Sequence, residues 1–472
     1  MLKNHLAAKV LEKLNYTPTH GQDSLIQKIA GFVMEDDRES IFLIKGYAGT
    51  GKTTIISALV NVFDELKMKY VLLAPTGRAA KVLCAYSGKQ AYTIHKKIYR
   101  QRSSKDGFGS FVLEKNLHTN TLFIVDEASM ISNSTGDNNI FGSGRLLDDL
   151  IEYVHNDKSC RLMLIGDTAQ LPPVGISISP ALDTNELQNY RHPVTEAFLS
   201  DIIRQSADSG ILMNATTVRS MITAQEIAFP HFQLAGYPDI FSINGTELLE
   251  TLSDSYDKYG LGENIVLCRS NKRANRYNEG IRKQILWRED ELNEGDQLMV
   301  VKNNYFWLQG NQQVDFIANG DIVEVKQIKR YENMYGFRFA DVTVYMADYD
   351  LDLDTKILLD TLSVTSPSLP QDLHKKLFYA VAEDYSGEKT KKKQYDKVRD
   401  DPYFNALQVK YAYAVTCHKA QGGQWKSVFV DQGYVTEDTL DVDYLRWLYT
   451  AFTRAVEKLY LVNFSEKFFE EG

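Results

Sequence analysis

Residues 46–54 read GYAGTGKTT, a glycine, four residues, then glycine, lysine and threonine, directly after the apolar run 41–44 and before a helical pattern that reaches Leu66. In that strand, loop, helix setting the backbone N–H groups can curl around a triphosphate. Gly46, Ala48, Gly49, Thr50, Gly51 and Thr54 supply the cradle. Lys52 brings a positive charge to the β and γ phosphates, and the helix N-terminus adds its dipole. The hydroxyl of Thr53 is placed to hold magnesium. A merely flexible Gly/Thr loop would not require the strand before it or the helix after it. The spacing therefore implies a nucleoside triphosphate, taken here as ATP with Mg2+.

Two further segments offer chemistry that suits a bound triphosphate. The apolar run 122–125 ends in DEASM, which places Asp126 and Glu127 at the carboxyl end of a buried strand. Two adjacent acids there call for a cation: Asp126 is the expected magnesium partner, and Glu127 is positioned to polarise an attacking water. The alternative is a helix N-terminus that carries acids to suit its dipole. The run 162–165 ends in GDTAQLPPVG, where Gln170 could orient water or touch the γ phosphate and so report which nucleotide is bound. Pro172 and Pro173 stiffen the backbone that follows. Rigid coupling of that kind suits a motor, although a tight turn alone would also explain two prolines.

The elements that position these residues can be read from periodicity. Strand candidates at 41–44, 70–74, 121–125 and 162–165 alternate with helical segments, which predicts a parallel sheet in an α/β fold. Ligands of such sheets sit outside the carboxyl ends of the strands, so the motifs converge on one crevice. Between a helix at 93–99 and the strand at 121, an Asp106-Gly107 turn with aromatic and β-branched residues after it predicts a hairpin insertion. A second sheet is expected from 264–268, 413–415, 427–430 and 458–462. The stretch from about 298 to 402 interrupts it, first with the alternation of a small antiparallel barrel and then with a polar, helical segment at 373–401. The lysine-rich run 389–393 reads as a solvated surface.

Composition sets bounds. With 472 residues, 44% hydrophobic and 24% charged, the chain has room for about three or four domains. No run of eighteen apolar residues occurs, and the first sixteen residues lack the unbroken apolar core of a signal peptide, so no membrane span and a cytoplasmic location are expected. Cys84, Cys160, Cys268 and Cys417 are far apart, which argues against disulfides and structural zinc. A net charge of −9 lowers the expectation of a nucleic-acid partner but does not bear on a local channel.

Three more blocks, APTGRAAKVL at 74–83, TCHKAQGGQW at 416–425 and YTAFTRA at 449–455, complete a set that resembles superfamily 1 helicases over most of the chain. The wording of DEAS, GDTAQLPPVG and APTGRAA is similar to the RecD and phage Dda branch, superfamily 1B. The resemblance implies two RecA-like domains with parallel sheets, a pin hairpin, and an SH3-like barrel with a helical extension. The boundaries expected are 1–198 for the first domain with the pin at 97–118, 199–297 and 403–472 for the second, and 298–402 for the insertion. It implies movement 5′ to 3′ on single-stranded DNA and binding of single-strand/duplex junctions; a monomer is one expectation, on which the sequence itself is silent.

Residue roles carry over at matching positions. Gln22 matches an adenine-reading glutamine, Arg204 and Arg454 match arginines that reach the γ phosphate, and Gln424 falls where relatives often carry a glutamate near the ribose. Guanidinium groups stabilise charge on a transferring phosphoryl group, which makes the arginines physically reasonable. DNA contacts are expected from Pro75, Thr76, Arg78, Lys81, Thr93, His95, Thr416, His418 and Lys419, whose hydroxyls and cations suit a phosphate backbone. Phe108 and Phe111 in the hairpin either stack on bases or wedge the duplex, or else pack the hairpin itself. The insertion is expected to wall the strand in or brace the pin, with 373–401 removable without loss of the fold. An RNA-directed enzyme of the same superfamily and a nucleotide-switched binding module remain as alternatives.

Overall fold

The computed structural model describes residues 2–35, 39–102, 110–133, 141–156, 159–201, 209–308, 316–347 and 349–469. The first sheet has six parallel strands in the order Ala91–Thr93, Lys69–Ala74, Thr121–Val125, Arg161–Gly166, Ile41–Gly46 and Val194–Leu199. Its central strands are apolar at nearly every position because helices cover both faces. Phe42 and Ile44 point into a core built with helices Leu2–Glu12, His20–Met34, Lys52–Glu65 and Gly77–Ser87, while Ile41 and Leu43 point into the opposite core with Leu147, Leu150 and Ile151 of helix Leu146–Val154. The four predicted strands are present. The two outer ones, Ala91–Thr93 and Val194–Leu199, were not foreseen.

The second sheet has five parallel strands in the order Ala414–Thr416, Asn264–Cys268, Trp425–Asp431, Ala455–Val462 and Ile240–Ile243. Four match the expected runs, and the edge strand Ile240–Ile243 is again an addition. Ala169 and Leu171, from the loop after Arg161–Gly166 of the first sheet, pack within the core of this second domain. The two domains are therefore joined through the GDTAQLPPVG segment.

Inserted in the second domain, and sharing a core with it, is a closed barrel of strands Gln297–Val300, Ile322–Met334, Phe337–Met346, Leu351–Leu358 and Leu407–Tyr411. Its closing strand lies beyond residue 402, antiparallel to the first barrel strand and parallel to Leu351–Leu358. Only Ala412 and Tyr413 then separate the barrel from the second sheet. The helical extension, Gln371–Asp384 and Lys391–Arg399, buries Leu377, Phe378 and Val381 against Phe337, Phe339 and Leu358 of the barrel. Removing 373–401 would expose that cluster, at about 1.5–3 kcal/mol for each large side chain, so the expected deletion carries a stability cost for the barrel.

The hairpin is present as antiparallel strands Tyr99–Arg102 and Ser110–Leu113. Its tip, including Phe108, lies outside the described residues.

Candidate functional site: a nucleotide seam and a strand groove

The phosphate loop leaves Ile41–Gly46 and enters helix Lys52–Glu65. Gly49 and Gly51 hold φ of +76° and +82°, a region that favours glycine. Gly51 caps the helix without a side chain, so the first N–H groups stay available to an anion. Lys52 Nζ donates to the carbonyls of Gly46 (2.7 Å) and Tyr47 (2.8 Å), folding the ammonium over the loop where phosphate oxygens would compete for it. The Thr50 hydroxyl ties the loop to Tyr47 O at 2.8 Å. Gln22 is fully buried. Its Nε2 donates to Thr50 O (2.9 Å) and its Oε1 accepts from Thr19 N (3.0 Å), so it secures the loop as well as capping helix His20–Met34.

At the neighbouring strand end, Asp126 Oδ1 accepts from Glu127 N at 2.9 Å. Burial, reinforced by the adjacent Glu127 charge, raises the Asp126 carboxyl above the usual carboxylate range. Glu127 adopts φ +54°, ψ +37°, a left-handed conformation that is costly for a side-chain-bearing residue and characteristic of functional positions. Close by in sequence, Ser129 Oγ and, on the next loop, Gln170 Oε1 are buried with no hydrogen-bond partner. A buried acceptor without a donor fits a ligand or its water.

Among the described residues no three His, Cys, Asp or Glu side chains gather as a metal site. A magnesium ion held by the Thr53 hydroxyl and one carboxylate, with the rest of its shell from phosphates and water, does not need such a cluster. Asp126, which the Lys52 charge reaches, and the hydroxyl of Thr53, the residue after Lys52, fit that donor set.

The second domain reaches this loop directly. Tyr449, on helix Val442–Phe452, accepts from Ala48 N at 2.8 Å and donates to Asp167 Oδ2 at 2.6 Å. Thr450 Oγ1 accepts from Leu171 N at 2.9 Å, and Gln421 Nε2 donates to Leu171 O at 2.6 Å. Arg219, on helix Gly210–Ala224, lies 4.4 Å from the Tyr47 ring centre. One tyrosine thus bridges the phosphate loop and the Gln170 loop. Arg454 is 4% exposed and is held by its own domain, donating to Thr450 O (3.1 Å), Gly423 O (3.2 Å) and Thr453 Oγ1 (3.3 Å). Arg204 lies outside the described residues. Gln424 is exposed and accepts from Tyr86 OH at 3.0 Å, a contact between the two domains.

A groove of about 440 Å³ runs along the same seam. The first domain lines it with Pro75, Thr76, Arg78, Thr93 and His95, and the second with His418 and Lys419. Thr76 and Thr93 accept the N–H of Ala79 (3.2 Å) and Lys96 (3.1 Å) as helix caps, leaving each hydroxyl proton free to donate to a phosphate. Arg78 stacks 3.8 Å from the Trp425 ring centre. Burial lowers the His95 pKa to about 4, so the imidazole is neutral at physiological pH. Thr416 and Lys81 are outside the lining, and Lys81 is exposed.

The barrel closes the groove with Asn303, Phe316, Ala318, Asn319 and Gly320, none of which sequence reasoning picked out. Lys419 Nζ donates to Asn319 Oδ1 at 2.7 Å. Behind this wall burial lowers Lys302 and Lys410 to about 8, with the Lys419 charge adding to the effect on Lys410. Phe111 is buried, its ring 4.7 Å from Phe141 and 4.5 Å from Tyr305 of the insertion. For this phenylalanine packing is what the geometry shows, and its partners lie outside the hairpin.

Two parallel α/β sheets, a phosphate loop on the first and a groove lined from both domains define a P-loop nucleotide-binding protein. Comparison agrees: a family described as AAA domain matches residues 18–228, and one described as UvrD-like helicase C-terminal domain matches residues 411–462. The ATP-dependent RecD2 DNA helicase of Deinococcus radiodurans is 31% identical over 32% of this chain and 18% of its own length, and the ATP-dependent DNA helicase dda of Enterobacteria phage T4 is 24% identical over 87% of this chain and 92% of its own. A Pif1 helicase from Bacteroides, solved with ADP-AlF3 and single-stranded DNA, overlaps 97% of this chain and 95% of its own at 15% identity and a TM-score of 0.49. Over most of its length the chain is thus similar to ATP-dependent DNA helicases of the RecD2 and dda kind. Among the described residues no helix is long and apolar enough to cross a membrane.

Proposed function

We propose that the chain is an ATP-dependent DNA helicase that moves 5′ to 3′ along single-stranded DNA and opens duplex at single-strand/duplex junctions. The observation that carries this reading is the shared seam: the groove lined by Thr76, Thr93, His95, His418 and Lys419 spans the same two domains that Tyr449 ties together at Ala48 and Asp167. A change in the nucleotide must alter the geometry across which the strand lies.

In this reading Lys52 leaves the carbonyls of Gly46 and Tyr47 to hold the β and γ phosphates, and Glu127 orients and deprotonates the attacking water. Gln170 Oε1 fills its open acceptor position with a proton of that water. Arg454, together with Arg204, moves to the γ phosphate when the domains close, giving up its hydrogen bonds to Thr450 and Gly423. Thr53 and Asp126 would hold a magnesium ion, which would supply neutralisation of charge developing on the phosphates. Gln22 positions the loop against the adenine edge, and Gln424 serves domain contact through Tyr86.

Loop hydroxyls and cations grip the strand backbone without reading sequence. The barrel walls the strand in and, through Tyr305 on Phe111, braces the pin. The described residues of both sites come from one chain, so a monomer suffices for this cycle. Its four free cysteines suit the reducing cytoplasm.

Unwinding of a short duplex carrying either a 5′ or a 3′ single-stranded tail, with ATP and magnesium, tests the proposal. Only the 5′-tailed substrate should open. Opening from the 3′ tail alone would overturn the polarity, and turnover stimulated by RNA but not DNA would reassign the substrate.

A further inference from the structure

The second sheet carries an arrangement that the groove does not use. Strands Ala414–Thr416, Asn264–Cys268 and Trp425–Asp431 lie side by side, with Cys268 beside Thr416 and Leu267 beside Val430, so the chain leaves all three at one edge in a row. The first exit holds Thr416, His418 and Lys419. The second is Arg269, and the third leads through Gly433 to Tyr434.

An exposed tyrosine alone needs no explanation, but this one has a fixed position and a charged neighbour. Tyr434 is 81% exposed. Its carbonyl accepts from Arg269 Nη1 at 3.3 Å, and the Arg269 guanidinium lies 4.8 Å from the Tyr444 ring centre. Lys272, in the first turn of helix Asn271–Gln284, adds a second exposed cation. The acids around them are mostly engaged. Asp431 is held by Arg273 and Tyr277, Glu437 by Lys467, and Asp441 caps the next helix, which leaves Asp438 exposed on the same loop and Asp443 exposed within electrostatic reach of His418. Rows of cations beside an exposed ring are how single strands are held without sequence preference.

We infer that the strand continues past Lys419 over Arg269 and stacks a base on Tyr434, extending the binding site beyond the groove. This rests on the strand-binding reading above. Adjacent parallel strands are about 4.8 Å apart, so the third exit adds roughly 10 Å of path. That length accommodates about one to three more nucleotides at 3.4 Å each. Continuity with the groove and the positive charge favour a nucleic-acid strand as the occupant.

The test measures binding of the full chain to labelled oligothymidylates from about 6 to about 14 nucleotides at one salt concentration, for the wild type, Tyr434→Ala, Tyr434→Phe and Arg269→Gln. Thermal melting checks that each variant is folded. Tyr434→Ala should weaken the longer oligonucleotides about tenfold and leave the shortest unchanged, as expected for loss of one stacked base. Tyr434→Phe should retain wild-type binding. Arg269→Gln should reduce the slope of log affinity against log salt by about 0.7. Equal affinity of Tyr434→Ala and wild type at every length would overturn this inference alone. If the wild type bound none of the oligonucleotides, the strand-binding reading would fall and this inference with it.

Discussion

The two parallel sheets share an architecture and differ in what their carboxyl edges carry. The first presents a glycine loop, a lysine, two acids and a glutamine, a set that can bind and hydrolyse a triphosphate unaided in composition. The second has no phosphate loop; it contributes Tyr449, Thr450 and Gln421 to hold the first sheet's loops, and it keeps Arg454 buried on its own carbonyls. In the proposed cycle one copy of the fold does the chemistry, and the other senses it and completes it. A motor needs that division, because a site contained within one rigid domain could hydrolyse ATP without moving anything.

The sharpest way to break the comparison is to remove chemistry from the first sheet alone. Glu127→Gln should lower ATP turnover about 10²–10⁴-fold, the usual worth of a general base, measured by phosphate release, while anisotropy shows strand binding intact. Comparable turnover would mean that the second sheet holds the base.

Acid should act mainly on the first domain. Burial holds His95 near 4 and, with the neighbouring His192, His155 near 3, while burial and the Lys302 charge hold His374 near 4. Each histidine binds a proton more readily when unfolded, at about 6.5. Stability is therefore complete above that pH and declines as pH falls toward 4, by up to roughly 1.4 kcal/mol per pH unit for each group. Urea titrations between pH 7 and 4 measure it. His155→Asn and His95→Asn should flatten the slope, and an unchanged slope would assign the acid sensitivity elsewhere.

The seam itself is probed by Tyr449→Phe, which leaves Ala48 N–H and Asp167 short of a partner at about 1–3 kcal/mol and should reduce strand-stimulated turnover more than basal turnover. Tyr444→Phe, in the same helix, removes a buried hydroxyl that has no partner and should cost nothing comparable. Equal effects would remove Tyr449 from the coupling.

Smaller again is the aromatic brace. A double-mutant cycle on Phe111→Leu and Tyr305→Leu should return about 0.5–1.5 kcal/mol of coupling, with unwinding lowered and single-strand-stimulated turnover kept. At the bottom, Lys391→Ala and Lys392→Ala, on the exposed lysine run, should stay within about 0.5 kcal/mol of wild type.

Much of the first sheet could be read in advance because strands covered on both faces are uninterrupted apolar runs, and each ends in a motif. The strands that escaped are edges. Val194–Leu199 is exposed at Thr195, Glu196 and Phe198, and Ile240–Ile243 is half-buried, so neither shows an apolar run. Polar residues at an edge protect against unwanted pairing and also hide the strand from pattern reading. In the site, the phosphate loop and the acids carry local spacing. The Tyr449 bridge does not, since it joins residues 401 and 282 positions apart. Tyr449 opens the YTAFTRA block, which was the available hint. The barrel's share of the groove, Asn303, Phe316 and Asn319, left no hint because small polar loops line surfaces everywhere. The insertion's last strand was concealed by the helical segment before it, whose buried Leu377 and Phe378 sit among lysines and acids in the sequence.

The central claim is that the nucleotide seam and the strand groove are one mechanical unit. Steady-state ATP turnover with and without a saturating single-stranded oligonucleotide tests it most directly. Coupling predicts a rate that rises by at least about tenfold when the strand is added and a much smaller rise in Tyr449→Phe, on the order of the hydrogen bonds lost. A wild-type rate indifferent to added strands would contradict it.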